Sequence, residues 1–229
     1  MKVFKFGGAS VKDAAGVRNV AKVLSHFPDD DLLIVVSAMG KTTNALEAVV
    51  WGYCDGKDMS AHVEALRKSH FLVLAEAVPA NTAVRAELIL HFDKLQDLLR
   101  LPPSGNMDRD YDQIVSMGEL WSSLILSAFL NEAGFANKWL DARKVVRTDD
   151  HFREAKVQWD ALEDRSMVHM PSFEQGPMRL VTQGFIGSTE DGLTTTLGRE
   201  GSDFSAAIFA YQMGAESVTI WKDVPGMFN

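Results

Sequence analysis

The run Leu-Leu-Ile-Val-Val-Ser at residues 32–37 limits the possible folds more than any other stretch. It is apolar without alternation, so the strand it predicts is covered on both faces. A strand with one wet face would show apolar and polar residues in turn. Similar short runs occur at 2–6 (KVFKF), 179–185 (RLVTQGF) and 217–221 (SVTIW), with a weaker one at 137–142 (NKWLDA). Helical patterns lie between them. In DAAGVRNVAKVLSHF, Val17, Val20, Ala21 and Leu24 form one stripe. TTNALEAVVWGY opens on threonines, which suit an N-cap. Strand and helix in alternation predict an α/β domain with a mainly parallel sheet.

The middle of the chain departs from that alternation. Residues 58–101 read as helix broken at Pro79, and 100–112 (RLPPSGNMDRDYD) read as a loop of Pro, Gly, Asn and Asp. A further helix is predicted over 113–134, ending at Gly134, with Ile114, Gly118, Trp121, Ile125 and Phe129 as its apolar stripe. No internal repeat or low-complexity tract divides the 229 residues, so 1–229 is read as one domain. The last residues, VTIWKDVPGMFN, run from a strand into a Pro-Gly turn, which suggests that the domain continues past Asn229.

Composition narrows the partners. A formal net charge of −8 argues against a nucleic-acid binder and requires that any anionic ligand be held by a few local cations. The single cysteine, Cys54, excludes an internal disulfide and a cysteine-based zinc cage. The six histidines show no ligand spacing, so no protein metal centre is expected. The N-terminus has no signal-peptide pattern, and no apolar run approaches ~18 residues, so the expected location is the cytoplasm, with no membrane partner.

Four segments carry chemistry. In KFGGAS, Gly7 and Gly8 free the backbone for a close ligand approach, with Lys5 beside them as a point charge suited to phosphate. These letters alone favour a plain strand-to-helix turn with Lys5 at the surface, because Gly-Gly turns are common. SAMGKTTNA at 37–45 contains a false P-loop tail, because the required glycine five residues before Gly40 is Val35. What remains is a strand end bearing Ser37, Gly40, Thr42, Thr43 and Asn44, fit for a carboxylate or phosphate, or for simple capping by Thr42 or Thr43. In TTTLGREGSDFSAA, Gly198, Arg199, Gly201, Ser202 and Asp203 precede a helix. Arginine, backbone N–H groups and helix dipole together favour an anion. Asp203 alone reads as a cap. In SMGELWSS, the stripe Ser116, Glu119, Ser123 and Ser127 follows one helix face; it reads by itself as the solvated side, with Glu119 as a possible ammonium ligand.

Together these segments resemble the amino acid kinase family, in its aspartate kinase branch. KFGGAS is similar to the family's K-F-G-G-[TS]-S, GELWSS to its GERLS-type helix, and DARKVVRTDDHF to its D-x-R segment. GFIGSTEDGLTTTLGREGSD and WKDVPGMF resemble two further family stretches, in the same order. The resemblance implies a three-layer α/β/α sandwich and transfer of the γ-phosphoryl group of ATP, with Mg²⁺, to the β-carboxylate of L-aspartate. It implies Lys5 and Asp203 as catalytic groups, Lys5 stabilising the transferring phosphoryl group and Asp203 orienting Lys5 or the metal-phosphate assembly. Ser37, Thr43, Glu119, Arg199, Gly201 and Ser202 would bind the amino acid, with Glu119 toward its amino group and Arg199 on a carboxylate. Gly7, Gly8, Ser10, Lys222, Asp223 and Phe228 would meet the nucleotide along with Lys5.

Elementary chemistry supports that inventory. An aspartate side chain ionises near pH ~3.9, so at neutral pH the nucleophile needs no general base. The obstacle is bringing an anion onto a polyanion, which positioning and charge neutralisation overcome. Alternatives are another carboxylate or carbamate kinase of this fold, and a binding module that keeps the fold without catalysis. Two departures are Ala9, which lacks the usual hydroxyl, and Lys222, which stands for a Thr or Ser. Family members also continue into the rest of the nucleotide pocket and a pair of ACT regulatory domains, and commonly form dimers. The chain is therefore expected to be the N-terminal part of a kinase, impaired or inactive alone.

Overall fold

The computed structural model describes residues 1–79, 81–171 and 176–222. Its centre is a parallel sheet of β1 (Lys2–Phe6), β2 (Leu32–Val36), β3 (Lys138–Leu140), β4 (Arg179–Gln183) and β7 (Ser217–Trp221), in the order β3-β4-β2-β1-β7. β5 (Ile186–Ser188) and β6 (Thr194–Thr196) form a separate antiparallel hairpin. The helices are α1 (Ala14–Leu24), α2 (Thr42–Cys54), α3 (Ser60–Ala77), α4 (Thr82–Arg100), α5 (Met107–Val115), α6 (Met117–Glu132), α7 (Trp159–His169) and α8 (Gly201–Gln212).

β2 shows why the sheet takes two helical layers. All five of its residues are buried. Leu32, Ile34 and Val36 enter one core, beneath α1 to α6, and Leu33 and Val35 enter the other, beneath α7 and α8. The period of two sends successive side chains to opposite faces. Each fully buried Leu, Ile or Val contributes about 1.5–3 kcal/mol of transfer free energy. The same alternation places Phe4 and Phe6 in the first core and Val3 in the second. Lys5 therefore leaves β1 on the α8 side of the sheet.

Three readings of the sequence are corrected. Residues 107–112 are not loop but the start of α5, whose N-cap Asn106 accepts the Arg109 N–H at 3.1 Å. The predicted helix over 113–134 is thus two helices meeting at Ser116. Neither Thr42 nor Thr43 caps α2: the cap position is Lys41, with no side-chain bond. The serine stripe of α6 is not solvated, for Ser116, Glu119, Ser123 and Ser127 are all buried. Its hydroxyls are satisfied from distant elements. Trp139 Nε1 and Gln183 Nε2 donate to Ser123 Oγ at 2.9 and 2.7 Å, and Ser127 Oγ donates to Asn137 Oδ1 at 2.6 Å. Residues 107–132 hold an 18-residue window apolar enough to cross a membrane, but 78% of that window is buried inside the protein.

Candidate active site

The loops that follow β1, β2 and β4 meet at one edge of the sheet, where open parallel sheets bind ligands. Gly8 allows this convergence. A Cβ there would stand 2.4 Å from the Ala38 carbonyl oxygen, so the first two loops touch through bare backbone, joined by the Gly40 N–H to Gly8 O bond of 2.9 Å. Beside them opens a cleft of about 320 Å³ lined by Lys5, Ser37, Thr43, Glu119, Phe185, Gly198, Arg199, Glu200, Gly201, Ser202 and Asp203.

Nine of these were named from sequence, drawn from β1, the residue after β2, the start of α2, α6, and the loop into α8 with its first turn. Lys5 Nζ pairs with Asp203 Oδ1 at 2.7 Å, an ion pair between the end of β1 and the first turn of α8. Asp203 is thus an ion-pair partner, beyond any service to the helix end. Arg199 is exposed on the loop before α8. Ser37 is fixed by its backbone, whose carbonyl accepts the Ser122 hydroxyl at 2.8 Å.

Glu119 differs from the other charged groups. It lies in the first turn of α6 and is 3% exposed. Oε1 accepts the Ala38 N–H at 3.3 Å, while Oε2 is buried with no hydrogen-bond partner among the described residues. Burial pushes its pKa up to about 8, against the opposing backbone bonds from Ala38 and Glu119 itself. A helix N-terminus favours a carboxylate by about 0.3–1 kcal/mol, too little to offset full desolvation. An unpartnered carboxylate oxygen at a cleft wall is a ready acceptor for an ammonium group.

Other expected residues are placed apart. Gly7, Gly8 and Ser10 form the turn after β1 but do not line the cleft. Gly7 stays close to it, since a Cβ there would lie 3.7 Å from Lys5 Nζ. Ala9 is exposed on the same short 3-10 turn. Lys222 is exposed just past β7. Asp223 and Phe228 lie outside the described residues. Sequence reasoning missed two wall residues, Phe185 and Glu200. Phe185 had a signal, since it follows a strand at its C-terminal end, where ligands gather.

The sequence profile of the amino acid kinase family matches residues 1–229. The chain is 35% identical over 229 residues to lysine-sensitive aspartokinase 3 of Escherichia coli (strain K12), covering 99% of this chain and 50% of that protein. It is 35% identical over 232 residues to bifunctional aspartokinase/homoserine dehydrogenase 2 of the same organism, covering 100% of this chain and 28% of that protein. The crystal structure of E. coli aspartokinase III in complex with aspartate and ADP superposes with a TM-score of 0.86 at 33% identity, over 99% of this chain and 50% of that one. The chain thus spans half or less of the length of these relatives. Profile, relatives and superposed fold agree that it belongs to the amino acid kinase family.

Proposed function

We propose that this chain supplies the amino-acid-binding half of an aspartate kinase, which moves the γ-phosphoryl group of ATP onto the β-carboxylate of L-aspartate to give 4-phospho-L-aspartate. The observation that carries this reading is the buried, half-partnered Glu119 in the same cleft as Lys5 and Arg199. Aspartate has two carboxylates and one ammonium group. Arg199 can hold one carboxylate by a two-pronged contact, and Glu119 Oε2 can accept from the ammonium. The remaining carboxylate then lies toward Lys5, already ionised and needing no base. Lys5 leaves Asp203 for the transferring phosphoryl group, whose developing charge it stabilises. An N-acylated acid lacks the positive charge that Glu119 requires, which disfavours the acetylglutamate-type reading.

Among the described residues no group of three or more His, Cys, Asp or Glu could form a metal cage. That suits Mg²⁺, which binds through substrate phosphates, waters and one or two carboxylates. Asp203 and Glu200 are the exposed or half-exposed carboxylates on the cleft wall. When bound, Mg²⁺ would supply further charge neutralisation at the phosphates. The similar aspartokinase III was solved with aspartate and ADP, which supports this choice of substrates. The test is to supply the intact gene product with ATP and aspartate, glutamate or N-acetylglutamate, and trap the acyl phosphate with hydroxylamine. Aspartyl hydroxamate is expected; its absence, with another hydroxamate formed, would overturn the reading.

A further inference from the structure

Arg153, Phe185 and Glu200 are the non-glycine residues with positive φ among the described residues, at 69°, 70° and 57°. Such backbone is sterically unfavourable and persists where the surroundings over-determine it. All three lie around Arg199. Phe185 and Glu200 line the cleft. Arg153 and Phe185 line a second hollow of about 540 Å³, which shares Phe185, Gly198 and Arg199 with the first. Arg199 thus stands on the partition between two hollows, with no side-chain hydrogen bond or ion pair among the described residues. Whatever fixes its place acts through its backbone.

That backbone is tied to one carboxylate. Asp112, on α5, is fully buried and lines neither hollow. It accepts the Thr196 N–H at 2.8 Å, the Thr196 hydroxyl at 2.7 Å and the Arg153 N–H at 3.0 Å. The Ala155 N–H donates to Thr196 O at 3.0 Å, so β6 and the turn over 151–155 are fastened to each other as well as to α5. This turn lies alongside the residue before Arg199: a Cβ at Gly198 would lie 3.4 Å from Arg153 O. Leu197 N–H donates to Phe185 O at 2.9 Å, which joins the same unit to the end of β4.

We infer that Asp112 is a positioning residue for substrate binding, which sets the height of Gly198 and Arg199 through Thr196 and the Arg153 backbone. The inference rests on the reading of Arg199 as the carboxylate anchor. A stabilising role alone explains Asp112 poorly. Burial pushes its pKa up to about 6 despite three donors, so desolvation outweighs them. A well-packed apolar residue serves stability as well or better at such a place. What an apolar residue does not do is hold two backbone segments at fixed distances from one point.

The experiment is steady-state kinetics on the intact gene product, with aspartate and ATP varied separately. Asp112→Asn is expected to raise KM for aspartate about tenfold, with kcat and KM for ATP within about twofold. Thr196→Val keeps the shape, removes one of the three bonds and should raise the same KM about threefold. The double variant should be no worse than Asp112→Asn, because both act along one path. Folded variants with unchanged aspartate KM, or losses shared equally by kcat and the ATP KM, would overturn the inference. If Asp112→Asn does not fold, Thr196→Val decides by the same criteria. Arg199→Lys separates the two layers of the argument. If it leaves aspartate KM unchanged, the anchor reading fails; if it raises KM while the other variants do not, the positioning role alone fails.

Discussion

The two ends of the cleft hold charge in opposite ways. At one end Lys5 and Asp203 face each other at 2.7 Å, with side chains 11% and 30% exposed. This end is electrically satisfied within the protein, so in the proposed reaction a phosphoryl group would have to draw Lys5 from its partner. At the other end Glu119 is sealed from water, with one oxygen on a backbone N–H and the other unmatched. Burial holds Glu119 protonated up to about pH 8, and in the proposed complex a bound ammonium would offset the cost of ionising it there. Under the proposed function the first end acts on rate and the second selects.

Substitutions at the two ends should separate these roles. Lys5→Met removes the cation that neutralises charge in flight, and kcat should fall by about a thousandfold or more. Lys5 is only 11% exposed and its partner oxygen is buried, so the variant also leaves Asp203 Oδ1 unpaired and should unfold at lower denaturant than its parent. Turnover within tenfold of the parent would break the assigned division. Glu119→Gln should raise KM for aspartate by about thirtyfold or more, the usual consequence of removing one partner from a buried charge pair. At pH 9 the same variant should unfold at higher denaturant than its parent, because an uncompensated buried charge is gone. A KM equal to the parent's would show that Glu119 selects nothing.

The pH dependence of stability sharpens the contrast further. Glu119 is raised from 4.5 to about 8 in the folded chain. Between those values the native state holds a proton that the unfolded chain has lost, so stability falls as pH rises through the window. Its contribution is fully present below about pH 4.5 and gone above about pH 8. Asp112, raised from 3.8 to about 6, adds the same sign at lower pH. Unfolding midpoints of the ligand-free protein and Glu119→Gln, measured from pH 6 to pH 9, should therefore converge toward acid and diverge toward base. Parallel curves would remove the basis for the selecting end. The smallest effect is expected at Ala9→Ser: the position is exposed and off the cleft wall, so kcat and both KM values should stay within about twofold.

The sheet was legible because its strands are continuous apolar runs, and SVTIW matched β7 residue for residue. The hairpin of β5 and β6 was not, since Thr194–Thr196 reads as polar loop until Asp112 and Gln113 are seen to satisfy its N–H groups. α5 hid behind the charged letters NMDRDYD, although Tyr111, Ile114 and Val115 give it a buried face. The site was legible as residue types but not as partners. Nothing local announces that Lys5 meets Asp203, or that Glu119 keeps one oxygen bare. The solvated reading of α6 failed because polar periodicity cannot distinguish water from Trp139, Gln183 and Asn137 as the source of hydrogen bonds.

That stripe works like the teeth of a key. Turning α6 by a single residue, about 100°, would tear the Ser122, Ser123 and Ser127 hydroxyls from their partners at once. The helix is thereby held at one angle by groups off the cleft wall, while Glu119 adds one backbone contact through Oε1 and keeps Oε2 unpaired. Under the proposed function, exchanging the side chain at 119 would therefore change which acid is recognised without turning the helix that carries it.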